Sequence, residues 1–513
     1  METEINIDSL RSRVSPLEMT PEQFRELGIQ AVERIASYLG SLPDQPVNPA
    51  VGPAQVRKHL GQASLPERGA APGSLLEQAA DLLFNHSLFN GHPRFWGYIT
   101  SSAAPIGALG DLLAAAVNPN VGGWDLSPIA SEIEAQTVRW IADLIGYPTD
   151  CGGLLVSGGN MANFVGFLAA RKAKVPWDVR QLGLRAEGAR QLRVYVSSET
   201  HTWIQKAADQ FGLGTQFIRW IPVDGERRID TQVLTSQIRE DKERGDFPFL
   251  VVGNAGTVST GAIDPLLELR SICTEHNLWL HADGAYGGAA AALPDASDDL
   301  KALSLADSVA IDPHKWLYAP LEAGCALVRD PKILRDTFSY HPVYYSFDKE
   351  SEQPGVNYYE YGPQNSRGFR ALKVWLALRQ VGRVGYQEMM SDDIRLARAL
   401  FEIAQTHPEL EALTLSLSIC TFRYVPAGLE TGSEKVEGYL NELNTELLAR
   451  VQRSGEAYLS NAVIGGKYAL RACVVNFRTS LEDIEALPGI VTRIGKELDA
   501  QKRPAELRQE AAQ

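Results

Sequence analysis

Cysteine is scarce in this chain and badly spaced for any joint task. The five residues, Cys151, Cys273, Cys325, Cys420 and Cys473, are odd in number and far apart. That pattern argues against a disulfide framework or a paired zinc spacing, and it leaves five reduced thiols in the core. No metal site is expected. Basic charge is also short, with 49 Lys and Arg against 63 Asp and Glu and a formal net charge of −14. Nucleic acid and anionic membranes bind basic faces, so neither is expected as a partner. No apolar run approaches the roughly 20 residues a membrane helix needs. The opening Met1-Glu-Thr-Glu-Ile-Asn-Ile-Asp8 is acidic where a signal peptide is basic, so a cytoplasmic location is expected. Internal repeats and low-complexity tracts are absent too. What remains is length and apolar content: 513 residues, 44% hydrophobic, suffice for a full α/β core with one or two smaller modules.

Thr20-Pro21-Glu22-Gln23 is a capping-box pattern with proline at the first helical position, and Phe24, Leu27, Ala31, Ile35 and Leu39 follow at helical spacing. A Pro/Gly-rich stretch from Leu42 to Pro53 breaks this helix, and helical spacing resumes at Leu75 to Phe84. These leading helices (residues 1–90) have no sheet of their own to cover, which predicts packing on another domain or a second subunit. From about Gly91 strand and helix signals alternate. Strand-like runs are Gln191–Ser197, Phe249–Gly253, Leu278–Ala282, Ser308–Ile311 and Cys325–Arg329; a helix carries Ile129, Ile133, Trp140, Ile141 and Leu144, and another follows Asp264-Pro265 with the aspartate as N-cap. Such alternation predicts a largely parallel sheet flanked by helices over residues 91–390. Residues 391–500 read as a small α+β domain, with helices at Leu443–Val451 and Leu481–Leu498 and a strand at Tyr468–Asn476. The charged tail 501–513 is expected to be loose.

Two motifs carry the chemistry. His281-Ala-Asp-Gly-Ala-Tyr-Gly-Gly-Ala289 ends an apolar strand on a carboxylate, Asp283, among small residues that would admit a flat ring. Asp312-Pro-His-Lys-Trp316 places an amine, Lys315, after the next strand, with enough chain between the motifs for one crossover. Both groups are thus expected at the ligand-binding edge of one parallel sheet. An acid and an amine converging on a ring are what pyridoxal phosphate requires: the lysine forms a Schiff base and the acid pairs with the pyridine nitrogen. At 4 Å and an effective dielectric near 20 that pairing amounts to about 4 kcal/mol before desolvation, enough to keep the ring nitrogen protonated. Ser157-Gly158-Gly159-Asn160, between a strand and a helix start, has unhindered amides for a phosphate. It lacks the spacing of a dinucleotide fingerprint. His201, in Ser198-Glu-Thr-His201, follows a strand and is expected at the same edge.

With these residues the chain resembles the pyridoxal-phosphate-dependent amino-acid decarboxylases of the aromatic-L-amino-acid, histidine and glutamate branch. The resemblance runs from about Thr20 to Leu498. Its further carriers are His92-Pro-Arg-Phe95 and Trp124-Asp-Leu-Ser-Pro128 with Glu132 and Glu134. It implies a fold-type I transferase fold, a homodimer and the loss of CO2 from an L-amino acid, aromatic in the first place, to leave the amine. It also implies that Lys315 carries the cofactor, His201 stacks on its ring, Asp283 holds the ring nitrogen and Ala285 lies against the opposite face. Ser157, Gly158, Gly159 and His314 then surround the phosphate. Tyr344, in His341-Pro-Val-Tyr344, matches a loop tyrosine that accompanies carbanion protonation, where phenylalanine accompanies aldehyde formation. Arg471, in Leu470-Arg-Ala-Cys473, matches an arginine near the substrate carboxylate.

The chain departs from the pattern in places. Asp312 stands where many members have asparagine, an acid close to a dianionic phosphate; it either points away or is protonated or bridged by a neighbour, and it is assigned no cofactor contact. Gly122 and Gly123 replace bulk, which predicts extra room near the ring pocket. The rival readings are an aromatic aldehyde synthase, a decarboxylase of acidic amino acids and, from another class, a non-catalytic scaffold that binds the cofactor.

Overall fold

The computed structural model describes residues 11–61, 64–340 and 355–510. Its main sheet has seven strands: β1 (Gly152–Val156), β2 (Leu192–Ser197), β3 (Ile218–Ile221), β4 (Phe247–Asn254), β5 (Trp279–Asp283), β6 (Ser308–Ile311) and β7 (Gly324–Val328). They lie in the order β1-β7-β6-β5-β4-β2-β3. Most of these strands are apolar without alternation because both faces are covered. Leu155, Tyr195, Val251 and Val309 join one core, while their neighbours Leu154, Val194, Leu250 and Ala310 join the other.

The five strands from β3 to β6 pair in parallel, whereas β7 is antiparallel to both β6 and β1. This refines the reading of Cys325–Arg329 as one more strand of a largely parallel sheet. A parallel return needs a crossover, and the connection from Asp312 to Ala323 contains no helix. The chain therefore turns straight back. Since β1 and β6 flank β7 with the same direction, the carboxyl ends of β1, β2, β4, β5 and β6 all open on one edge of the sheet.

A second, antiparallel sheet contains β8 (Leu410–Ser416), β9 (Ile419–Tyr424), β10 (Ser460–Ile464) and β11 (Lys467–Cys473) in the order β10-β11-β9-β8. Helices Glu434–Ser454 and Leu481–Lys502 pack beside it. Residue 390 lies inside a long helix, Ala371–Thr406, that contacts elements of both halves. Residues 501–510 of the tail are mostly helical, where the charge predicts a loose segment. The preceding helix runs on to Lys502, and Ala505–Glu510 is helical with Leu507 buried in the small-sheet core. One apolar side chain with a place to dock is enough to hold such a segment.

At the other end, α1 (Pro21–Ser41) begins on the predicted capping box: Thr20 Oγ1 accepts from Gln23 N at 3.2 Å and Gln23 Oε1 from Thr20 N at 3.0 Å. With α2 (Pro53–Leu60) and α3 (Pro72–His86) it forms a helical arm. Tyr38 of α1 stacks on Phe84 of α3 at 4.5 Å, yet none of the three helices contains a buried residue. The Pro/Gly-rich linker does dock, with Val47 N donating to Gly455 O at 2.8 Å. Two more helices follow, α4 (Pro105–Val117) and α5 (Pro128–Leu144).

One expected cap is corrected. Asp264 does not cap the helix Leu266–His276. Its carboxylate is fully buried and accepts from Ile229 N and Asn254 N, both at 2.7 Å, and burial raises its pKa to about 6. Two buried amides were the stronger claim on it, because an unsatisfied buried N–H is costly, whereas the exposed helix start has another acceptor in Asp299 Oδ1, which takes Leu267 N at 3.2 Å.

Candidate active site

β5 ends on Asp283, in register with Asn254 of β4 and Ala310 of β6. Four residues past β6, Lys315 lies in a turn closed by Lys315 N donating to Asp312 O at 2.8 Å and Tyr318 N to Lys315 O at 3.1 Å. His201 follows β2, and Ser157 follows β1. A cavity of about 880 Å³ opens at this edge. Ser157, Gly158, Gly159, His201, Asp283, Ala285, His314, Lys315 and Arg471 all line it. Tyr344 lies outside the described residues.

Asp283 is 8% exposed, and both its oxygens are engaged. Trp203 Nε1 donates to Oδ2 at 2.8 Å and Ala285 N to Oδ1 at 3.2 Å. Neutral donors hold the acid in place without cancelling its charge, which stays available to a cation in the cavity. Beneath lies fully buried His281, whose Nε2 is 2.7 Å from Asn163 Oδ1 and whose Nδ1 is 2.8 Å from Ser308 Oγ. Gly166 leaves space for that ring, since a Cβ there would be 2.5 Å from it. Burial lowers the His281 pKa to about 4 against the opposing field of Asp283, so the ring is neutral. Trp203 packs edge-on against His281 at 5.7 Å, tying this floor to Asp283.

His201 is likewise held below its ordinary pKa, first by burial and then by Lys315, with Asp283 opposing. Its Nδ1 accepts from Trp203 N at 3.3 Å. In a neutral imidazole that leaves the proton on Nε2. Arg471, on β11, is 3% exposed; its Nη2 donates to Tyr98 O at 3.0 Å, while its Nε is buried without a hydrogen-bond partner among the described residues.

The phosphate turn is built for an anion. Gly158, with φ +147, precedes α6 (Gly159–Lys174), and a Cβ on Gly158 would be 3.2 Å from the His314 ring. A side chain at either glycine would fill the cradle where the helix offers free N–H groups. Asp312 is bridged by neighbours rather than turned away: Oδ2 lies 3.0 Å from Lys315 Nζ and 3.7 Å from His314 Nε2. Anion cradle, anchored acid, amine and neutral histidine in one cavity fit pyridoxal phosphate. Among the described residues no group of His, Cys, Asp and Glu is arranged to hold a metal ion.

Gly122 corrects another expectation: a Cβ there would run into the Asn365 carbonyl oxygen, so this glycine serves the chain's own packing. Gly123 is different, since a Cβ there would meet nothing nearer than Asn357 Oδ1 at 3.6 Å; neither glycine lines the cavity of the single chain. The other carriers of the resemblance are structural within this chain. Glu134 is buried against Arg367, Trp124 Nε1 donates to Glu132 at 2.9 Å, and the His92 carbonyl accepts from Asn476 Nδ2 at 2.7 Å. Sequence reasoning missed Trp203 and Asn163, and no local signal marks them: each meets its partner only through the order of the strands.

The family model for the pyridoxal-dependent decarboxylase conserved domain matches residues 53–425. An aromatic-L-amino-acid decarboxylase of Bacillus atrophaeus is 34% identical over 469 residues, covering 91% of this chain and 94% of that protein. A phenylacetaldehyde synthase of a Rosa hybrid cultivar is 29% identical over 465 residues, covering 89% and 90%. The crystal structure of Oryza sativa TDC with PLP and tryptamine superposes with a TM-score of 0.87 at 26% identity, covering 95% of this chain and 100% of that one.

Proposed function

This chain belongs to the pyridoxal-dependent decarboxylase family, a carboxy-lyase with pyridoxal phosphate as cofactor, and we propose that it converts an aromatic L-amino acid into its amine and CO2. One observation carries the reading: Lys315, Asp283 and His201, distant in the chain, line a single cavity beside an anion cradle. The aromatic preference draws on the relatives, which include tyrosine decarboxylases of Petroselinum crispum at 28% identity.

Bound pyridoxal phosphate supplies the electron sink that takes up the pair released when the carboxylate bond breaks. Lys315 is the amine that would tether the cofactor and would be free to leave it when a substrate amine enters the cavity. Ser157 and the N–H groups at the start of α6 would hold its phosphate, and Ala285 and His201 would flank its ring. Asp283, kept in place by Trp203, stabilises a proton on the ring nitrogen and so strengthens the sink. Arg471 offers a buried cation to the substrate carboxylate. Tyr344, with His201 Nε2–H, would be the proton source for the α-carbon once CO2 has left.

We also place the enzyme as a homodimer. Phe24, Ile29, Val32 and Ile35 on α1 are 44–59% exposed, and Leu109, Leu112 and Leu113 on α4 are 50–59% exposed. Exposed apolar side chains lined up along a helix face in this way mark a protein contact. No described helix is long and apolar enough to cross a membrane; a cytoplasmic location is part of the proposal and is checked by cell fractionation.

The test is a side-by-side assay of tryptophan, tyrosine, phenylalanine and glutamate for CO2, amine, aldehyde and peroxide. Equal CO2 and amine from an aromatic substrate is the expected result. Aldehyde with peroxide would make the chain an aldehyde synthase, release from glutamate alone would move it to the acidic branch, and no release in a screen extended to all twenty amino acids would leave a scaffold.

A further inference from the structure

We infer that Asp312 competes, from within the chain, for both anchoring points of the cofactor: its carboxylate holds Lys315 and stands behind the anion seat of the Gly158–Gly159 turn, so uptake of pyridoxal phosphate must displace it. The inference rests on the cofactor reading above. Asp312 is 3% exposed, with Oδ2 3.0 Å from Lys315 Nζ. A Cβ built on Gly159 would be 2.6 Å from the same oxygen, so the carboxylate lies against the first residue of α6. Its other oxygen, Oδ1, is buried with no hydrogen-bond partner among the described residues. His314 Nε2, at 3.7 Å, is its other neighbour, and burial lowers that ring's pKa, so it is a weak substitute for an ammonium.

Two consequences follow from charge alone. A helix start that favours one anion is disputed when a buried carboxylate already stands against it, and a phosphate arriving there meets a like charge in a medium that screens poorly. Lys315 is the other point of conflict. An ammonium in an ion pair has no lone pair to add to an aldehyde carbon. The Nζ must lose one proton before it can add to the aldehyde carbon, and its other two hydrogens leave with the aldehyde oxygen as water when the carbon–oxygen double bond is exchanged for a carbon–nitrogen one. That exchange also deprives Asp312 of its ammonium, and a buried carboxylate left without its partner is costly. A neutral residue of the same shape would face neither problem. The cofactor is therefore held more loosely, and captured more slowly, than the rest of the site allows.

The experiment titrates cofactor-stripped, full-length wild type, Asp312→Asn and Asp312→Ser with pyridoxal phosphate, following visible absorbance and borohydride-trapped adduct by mass. Both variants are expected to bind at least about tenfold more tightly and to form adduct faster, since a single like charge nearby is worth that much at intermediate dielectric. Pyridoxal, which lacks the phosphate, is expected to gain less. Variants that bind pyridoxal phosphate no more tightly than wild type would overturn the inference. Equal gains for the two aldehydes would overturn its phosphate half. Wild type that takes up no pyridoxal phosphate would sink the cofactor reading instead, which separates the two failures.

Discussion

The floor of the cavity and the helical arm are opposite solutions to one problem. In β4, β5 and β6 nearly every side chain is buried, and two of the polar ones, His281 and Ser308, bond each other. In α1 and α3 nothing is buried, although both carry apolar faces. A floor that closes on itself can hold Asp283 and Lys315 in fixed relation within one chain. An arm that leaves its apolar face open has its partner elsewhere, which is why we assign it to the subunit contact.

The sharpest way to break this contrast is at the floor. Lys315→Ala is expected to abolish both the cofactor absorbance and turnover, with native mass and fold retained; full activity in that variant would remove the premise. Asp283→Asn should leave cofactor bound while turnover falls by about 10²- to 10³-fold, because the charge facing the ring nitrogen is worth up to about 4 kcal/mol. Steady-state kinetics beside the absorbance of the bound cofactor measure it. Trp203→Phe, which removes the donor to Oδ2 together with part of the buried ring beside His281, should lie between that variant and wild type.

At the arm, Ile35→Asp with Leu83→Asp is expected to halve the mass seen by light scattering while leaving the far-UV signal unchanged. An unaltered mass would mean that these faces serve something other than a second copy. The smallest effect concerns stability. His281 has its pKa lowered to about 4 in the folded chain against about 6.5 unfolded, so the unfolded state binds more protons between those values. Stability from this group is present above pH 6.5 and drains as pH falls toward 4, by on the order of 3 kcal/mol. Replacing His281 with Gln should flatten the melting temperature between pH 6.5 and 4; an equally steep loss would place the acid sensitivity elsewhere. Asp393, raised to about 7 by burial, acts in the opposite sense over the whole of this range, and Asp264, raised to about 6, over most of it, because each favours the fold when protonated; the quantity to read is therefore the difference in slope between variant and wild type.

Much of the cofactor end was legible because its residues stand at the ends of apolar strands. A parallel sheet sends all such ends to one edge, so Asp283, His201 and Lys315 could be brought together without knowing the strand order. The capping box at Thr20 was legible for the same kind of reason, as both partners lie within one turn. Asp264 was misread because the local pattern for a cap is also what a buried acid beside a proline looks like, and only the amides of β4 and Ile229 distinguish them. Gly122 was misread because the obstacle to a side chain there is the distant Asn365.

By itself the sequence determined the identity of the reactive groups, their attachment to strand ends and the balance of charge, since each depends on residue type and near neighbours. The tertiary structure alone decided that Trp203 anchors Asp283, that His281 is neutral between Asn163 and Ser308, and that Asp312 holds Lys315. Whether a buried charge is balanced depends on what lies within a few ångströms of it, and outside a single turn of chain that distance is not written in the spacing of residues.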